Sequence, residues 1–301
     1  MKKSKTRTSA FRHRKNILTA YLFLTPAIIL FFLFFYYPTI TSFFYSLNEY
    51  HIFDSLKWVG FDNYKRMFQD NIFISSLKNS LVYLVIITPT LVVIPLLMAL
   101  LINTKAKGAY IFRVIYYLPY ITPMVSVAIT WKYIFHPKGL LNAGLRMLGL
   151  PMNSVDWLFN RKLALPSIAI VEIWKLCGYY MIIYLAALQS IDKEQIEAVH
   201  MDGANAVKTL WYVTLPSIKN SIKMVLILAT MNAVKIFTSV YIITGGGPYN
   251  ATVSLPMYIY QKAFNDLDMG YASALGIIQW ILLLGLTILN MKFNKTEEEL
   301  D

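Results

Sequence analysis

The sequence predicts an all-α polytopic membrane protein, and three observations carry that prediction. Its 301 residues are 57% hydrophobic and 15% charged, with a mean hydropathy of +0.51, against about 25% charged in a soluble domain. Six stretches meet the need of a spanning helix, about 20 apolar residues rising about 1.5 Å each through about 30 Å of hydrocarbon. The net charge of +12 is unevenly placed: Lys2, Lys3, Lys5, Arg7, Arg12, Arg14 and Lys15 fall before the first apolar run, with no acid among them. So much apolar surface cannot be hidden in one core, which excludes a soluble enzyme or a disordered chain. A pI near 9.5 suggests nucleic acid when the bases line a folded face. Here they sit in one tail, so they read as a topology signal and no nucleic-acid partner is expected. A single cysteine, Cys177, excludes an internal disulfide and a cysteine metal cluster.

The first span, 17–37, is rich in Phe and Leu and is expected to end at Pro38. The alternative, a cleaved signal peptide, fits less well, because the apolar run exceeds the usual length and no A-x-A site follows. The second, 81–102, is interrupted by Pro89 and Pro95, and the third, 114–135, carries Pro119 and Pro123. Those prolines predict kinks whose freed carbonyls neighbouring helices must satisfy. The fourth, fifth and sixth spans are 165–188, 224–243 and 271–291, and the last is free of charge.

Lys and Arg near the span ends orient the chain. With the N-terminus inside, the cytoplasmic parts are the basic tail 1–16, a turn with Lys105, Lys107 and Arg113, the loop from 189, and the tail 292–301. The outer segments 39–80, 136–164 and 244–270 also carry bases, but the N-terminal block is dense and adjoins the first span. A six-span domain over 17–291 with both termini cytoplasmic follows.

The cytoplasmic loop 189–219 is the most patterned segment outside the membrane. Asp192, Lys193, Glu194 and Gln195 have the form of a capping box, and acids at 192, 194 and 197 suit a helix N-terminus. Gly203 reads as the C-cap of a short helix over about 193–202. Beyond it, Val207, Leu210, Trp211 and Thr214 fall on one face of a second helix, and Pro216 punctuates the approach to span five. Pattern alone fits an amphipathic connector resting on the membrane as well as a docking element.

Glu172 and Lys175 lie in span four, and Asn232 and Lys235 in span five. Ionisable residues at such depth cost at least about 2.5–3.5 kcal/mol each on insertion scales, so they face a cavity or a partner. Glu172 and Lys235 are seven and eight residues from the outer span ends, and on antiparallel helices that depth permits a pair. Lys175 competes for Glu172 through the i,i+3 relation. Either the pair sets bundle register, or these groups line a solute pathway with Tyr179, Tyr180 and Asn232, combining aromatic faces with hydrogen bonds. Adjacent tyrosines on a helix point about 100° apart, so Tyr179 and Tyr180 cannot both face it.

Glu197, Ala198, Val199, His200, Met201, Asp202, Gly203 and Ala204, followed by Leu215 and Pro216, resemble the EAA loop of binding-protein-dependent ABC importer permeases. Val199 stands where the motif has its second alanine. Tyr21–Ala27, Val59–Tyr64, Tyr117–Tyr120 and Thr244–Pro248 resemble the carbohydrate-uptake branch. Where that branch commonly has an aspartate after the phenylalanine matching Phe237, Thr238 stands here. The resemblance implies a six-helix permease bundle whose loop is a coupling helix on an ATPase subunit, Glu197 meeting a basic partner and Gly203 allowing the turn. It implies a second permease in a heterodimer, two ABC ATPases carrying ATP and Mg, and an external solute-binding protein that delivers a sugar. The setting is a bacterial-type cell membrane. No G-x-x-x-x-G-K-[ST] loop, metal-ligand spacing or nucleophile–base arrangement occurs in the sequence, so the chain is expected to be a transport subunit with no catalytic or metal site and no cofactor of its own. A neutral oligosaccharide is the default cargo, a sugar acid or sugar phosphate the alternative. An ion-coupled transporter or channel using Glu172 and Lys235, and a membrane scaffold, are the rival classes.

Overall fold

A computed structural model describes residues 19–52, 55–103, 108–149, 155–201 and 203–295. The basic tail 1–16, Lys105, Lys107, Asp202 and 296–301 lie outside the described residues. Among the described residues, five helices are long and apolar enough to cross a membrane, six if one sharply bent pair counts as a span.

Helix α1 runs Thr19–Ser46, passing Pro38 where the apolar run was expected to stop. A π-turn, Phe32–Tyr36, explains this: the Tyr37 N–H bonds Phe32 O five residues back. The widened turn comes immediately before the residue that has no N–H to give. A two-stranded hairpin follows, β1 (Asn48–Glu49) with β2 (Lys57–Trp58), then α2 (Asp62–Gln69). The Asn63 amide donates to Ser46 O and Asn48 O, both at 2.9 Å, and Ser46 Oγ meets Tyr64 OH at 2.7 Å. Val59–Tyr64 is therefore a clip on the C-terminal end of α1.

Helix α3 (Asn71–Ile102) starts ten residues before the apolar stretch. Asp70 caps it, its Oδ1 accepting from the Ile72 and Phe73 N–H groups, and Phe73, Ser76 and Ser80 bury one face of the polar first turns. Asp70 Oδ2 also accepts from Tyr258 and Tyr271, the latter at 2.7 Å. Arg66 lies over the Tyr271 ring and pairs with Asp268 at 2.7 Å.

The third span is not one helix. Helices α4 (Ala109–Ile121) and α5 (Met124–Ile134) are bent by 98°. Pro119 is carried inside α4; the break is at Pro123, which forces Thr122 to an extended backbone, ψ 134°. Then come α6 (Leu140–Met147), the unbroken α7 (Ala164–Gln189), α8 (Lys193–Met201) and α9 (Ala206–Thr209). Helix α10 (Lys219–Val234) and α11 (Thr238–Ile243) form the fifth span, interrupted at 235–237. A short α12 (Leu255–Tyr260) precedes α13 (Met269–Lys295).

The core lies where α3, α7 and α10 meet. Tyr83, Ile87 and Leu91 bury one α3 stripe against Ile168, Tyr180 and Tyr184 of α7 and Val225, Ala229 and Ala233 of α10. Helix α4 leans on α7, α5 on α11, and α13 on α1. Burial of large side chains at i and i+4 fixes the register of these helices.

Candidate functional site

Two places gather the residues singled out by sequence: the loop between α7 and α10, and the charged zone inside α7, α10 and α11.

In the loop, Asp192 Oδ1 accepts the Glu194 N–H at 3.2 Å, capping α8. Gly203 takes a left-handed conformation, φ +79°, which costs a residue with Cβ about 1–2 kcal/mol. The Ala204 N–H reaches back to Val199 O at 3.2 Å, closing a Schellman ending. One residue later, Asn205 Oδ1 accepts the Lys208 N–H at 2.9 Å and starts α9. The corner is thus capped on both sides. Glu197, Ala198 and Pro216 are exposed, and Ala204 and Leu215 half-buried.

The expected single face of the second helix is not kept. Helix α9 widens into a π-turn, Leu210–Thr214, and continues as Leu215–Ser217. The Leu215 N–H bonds Leu210 O just before Pro216, the arrangement already seen before Pro38. The extra residue shifts the phase, so Val207 and Trp211 are exposed while Leu210 and Thr214 are half-buried. Met201 and Tyr212, 88% and 79% exposed, extend the apolar surface around the corner.

Inside the span region, Glu172 accepts a hydrogen bond from the Ser239 hydroxyl. Lys235 is not its partner: it is exposed and, among the described residues, no ion pair joins the two. The matched-depth arithmetic assumed an unbroken helix. Instead the Lys235 N–H closes α10 on Asn232 O at 3.2 Å, the chain leaves helical register, and Ser239 of α11 arrives opposite Glu172.

Lys175 does not pair with Glu172 either. Its Nζ donates to the carbonyls of Pro119, Tyr120 and Thr122 at 3.3, 3.0 and 2.7 Å. Pro123 has no N–H for Pro119 O, so the break strands carbonyls at the negative end of α4, and Lys175 covers them. Gly178 makes this possible, since a Cβ there would lie 1.8 Å from Tyr116 O. Tyr179 stacks on Tyr120, ring centroids 4.4 Å apart. Tyr180 is fully buried and takes a hydrogen bond from the Asn232 amide at 2.8 Å. The six residues therefore divide: Lys175 and Tyr179 bind α4, Glu172 binds α11, Tyr180 and Asn232 bind each other, and Lys235 stands apart. Ser239 and Gly178 were not singled out by sequence, and Tyr120 only as part of the Tyr117–Tyr120 motif. The Pro119–Pro123 spacing of four was the available signal, because it leaves one carbonyl without its donor.

Residues 71–296 match the family model described as the binding-protein-dependent transport system inner membrane component. The chain belongs to that family. This permease is 34% identical over 289 residues to the probable ABC transporter permease protein YurN of Bacillus subtilis, covering 95% of this chain and 99% of that one. It is 31% identical over 284 residues to the sulfoquinovosyl glycerol transport system permease protein SmoG of Agrobacterium fabrum, covering 93% and 92%. Among solved structures it superposes on a chain of a bacterial ABC transporter that imports the acidic polysaccharide alginate, with a TM-score of 0.82, 26% identity and coverage of 96% and 99%. A second structure of an alginate ABC transporter, in complex with its pentasaccharide-bound periplasmic protein, gives 0.80 at 26% identity, covering 93% and 95%.

Proposed function

We propose that this permease carries a sugar, an oligosaccharide by default, across the cell membrane by alternating access. The sugar is handed over by an external binding protein, and two ABC ATPases holding ATP and Mg supply the work. A second permease completes the pore, and both termini face the cytoplasm. The observation that carries the reading is the doubly capped corner at 203–205 joining α8 to α9, directly between α7 and α10. An ATPase gripping Glu197, Ala198 and the apolar side chains around Met201 would pull on both helices that carry the charged zone. Gly203 sets the corner angle, Asp202 and Ala204 flank it, and Leu215 and Pro216 pass the displacement into α10. In the charged zone, Tyr179 and Asn232 offer a ring face and an amide to a sugar, while Glu172, Lys175 and Tyr180 hold the frame. Lys235, exposed at a helix break, is the group that would meet an acidic sugar. An ion relay through Glu172 and Lys235 is disfavoured, since Glu172 is committed to Ser239.

The test is uptake and ATPase activity in vesicles containing the assembled transporter. Glu197→Lys and Gly203→Pro should abolish sugar-stimulated uptake while membrane insertion stays normal. Unimpaired uptake by the Glu197→Lys variant overturns the assignment.

A further inference from the structure

We infer that the outer face carries an anion socket, built around Lys78, Arg161 and Lys162, which docks acidic side chains of the external binding protein. The inference rests on the import reading above and adds to it a location and a chemistry for the hand-over.

The socket is a cavity of about 350 Å³ between the first turns of α3, the start of α7 and the turn that follows the Thr244–Pro248 segment. Among the described residues, three cations line it and no carboxylate does. Lys78, Arg161 and Lys162 are all exposed, and no ion pair holds them among the described residues. Like charges gathered this closely repel one another, so an anion entering the socket is favoured by all three.

The third wall is a fixed turn. Tyr249 and Asn250 both have positive φ, 49° and 61°, an uncommon conformation for residues other than glycine. The Asn79 amide holds the turn by donating to Asn250 O and Val253 O at 2.9 and 3.0 Å. Thr252 is buried beneath it, bonded to Gly247 O at 2.7 Å and to Thr244 at 2.8 Å. The strained turn thereby presents Tyr249, 89% exposed, beside the cations. Tyr and Arg on a fixed frame are the residue types that dominate protein interfaces. In an importer the cargo arrives enclosed in its receptor, so the group that reaches an outer socket first belongs to the receptor. Its complement is a carboxylate pair on the receptor surface. Such complementarity speeds encounter and fixes orientation, and it weakens with salt.

The test uses the full transporter with its second permease and ATPases, in nanodiscs of phosphatidylcholine, which removes anionic lipid. Sugar-loaded binding protein is titrated at several salt concentrations. Lys78→Glu and the double variant Arg161→Glu/Lys162→Glu should raise Kd ten-fold or more and flatten its salt dependence, with basal ATPase activity unchanged. Reversing a receptor carboxylate to Lys should restore affinity to the variant transporter and not to the wild type. Unchanged Kd and salt dependence in both variants overturns the socket. So does a defect seen only with phosphatidylglycerol present, which would assign the cations to lipid, or one in sugar affinity alone, which would assign them to cargo. Wild-type ATP-driven uptake is measured in parallel: its failure sinks the import reading, whereas intact uptake with an indifferent socket sinks only this inference.

Discussion

At the scale of single residues, the charged zone is a set of local contracts. Lys175 covers three carbonyls stranded by the break between α4 and α5, one of them, Pro119 O, for want of the N–H that Pro123 lacks. Lys175→Met should uncover them, at about 1–3 kcal/mol for each group left unsatisfied. A lower melting temperature of the purified complex would report it, and Lys175→Arg should restore most of the loss. Gly178→Ala places a methyl against Tyr116 O and should cost about 1–3 kcal/mol by overpacking, read in the same melt. Glu172→Gln and Ser239→Ala should show a coupling of about 0.5–3 kcal/mol in a double-mutant cycle, while Glu172→Gln and Lys235→Ala add. Coupling in the second pair instead would restore the ion pair that the sequence suggested. Sequence spacing named Glu172 and Lys175 as residues in need of partners. It could not name those partners, because the stranded carbonyls exist only once α4 breaks and Ser239 reaches Glu172 only after α10 ends.

At the scale of elements, the apolar runs fall on helices because a bilayer imposes length and composition directly. The sixth run, 271–291, lies within α13 for this reason. The deviations come from local chemistry that hydropathy does not register. Asp70 starts α3 ten residues early, and wide turns carry the chain past Pro38 and Pro216. Asp70 also joins elements. Burial pushes its carboxyl up, but hydrogen bonds from Tyr258, Tyr271 and two backbone N–H groups outweigh this and hold it below the ordinary value. A depressed carboxyl contributes stability above the unfolded pKa of about 3.9 that is lost as pH falls through the folded value. Asp70→Asn keeps a capping oxygen, since Asn caps as well as Asp, but removes the charge to which Tyr258 and Tyr271 donate, so it should lower thermal stability at neutral pH. The gap from wild type should close as pH falls below the carboxylate range. A gap that persists in acid would show that Asp70 acts through shape and not charge.

At the scale of the whole molecule, the EAA resemblance already implied the family that the match over 71–296 then established, since its first eight residues run consecutively from Glu197 to Ala204. The outer socket was illegible for the opposite reason. Lys78 is far in sequence from the adjacent Arg161 and Lys162, and only the closure of α3, α7 and the 249–251 turn brings them to one cavity.

The two helices leaving the 189–219 loop differ as mechanical parts. Helix α7 is an uninterrupted rod of 26 residues, about 39 Å long at about 1.5 Å per residue; the α10–α11 span has a knee at 235–237. A push at the loop travels the full length of the rod but is taken up in the knee of its neighbour. The ends of α7 and α11 remote from the loop should then slide past each other during a transport cycle. A pair of spin labels at 163 and 244 should report a changing distance, and one at 189 and 164 a constant one. With Glu172 on the rod and Ser239 just past the knee, their hydrogen bond is the latch that such a stroke would have to open.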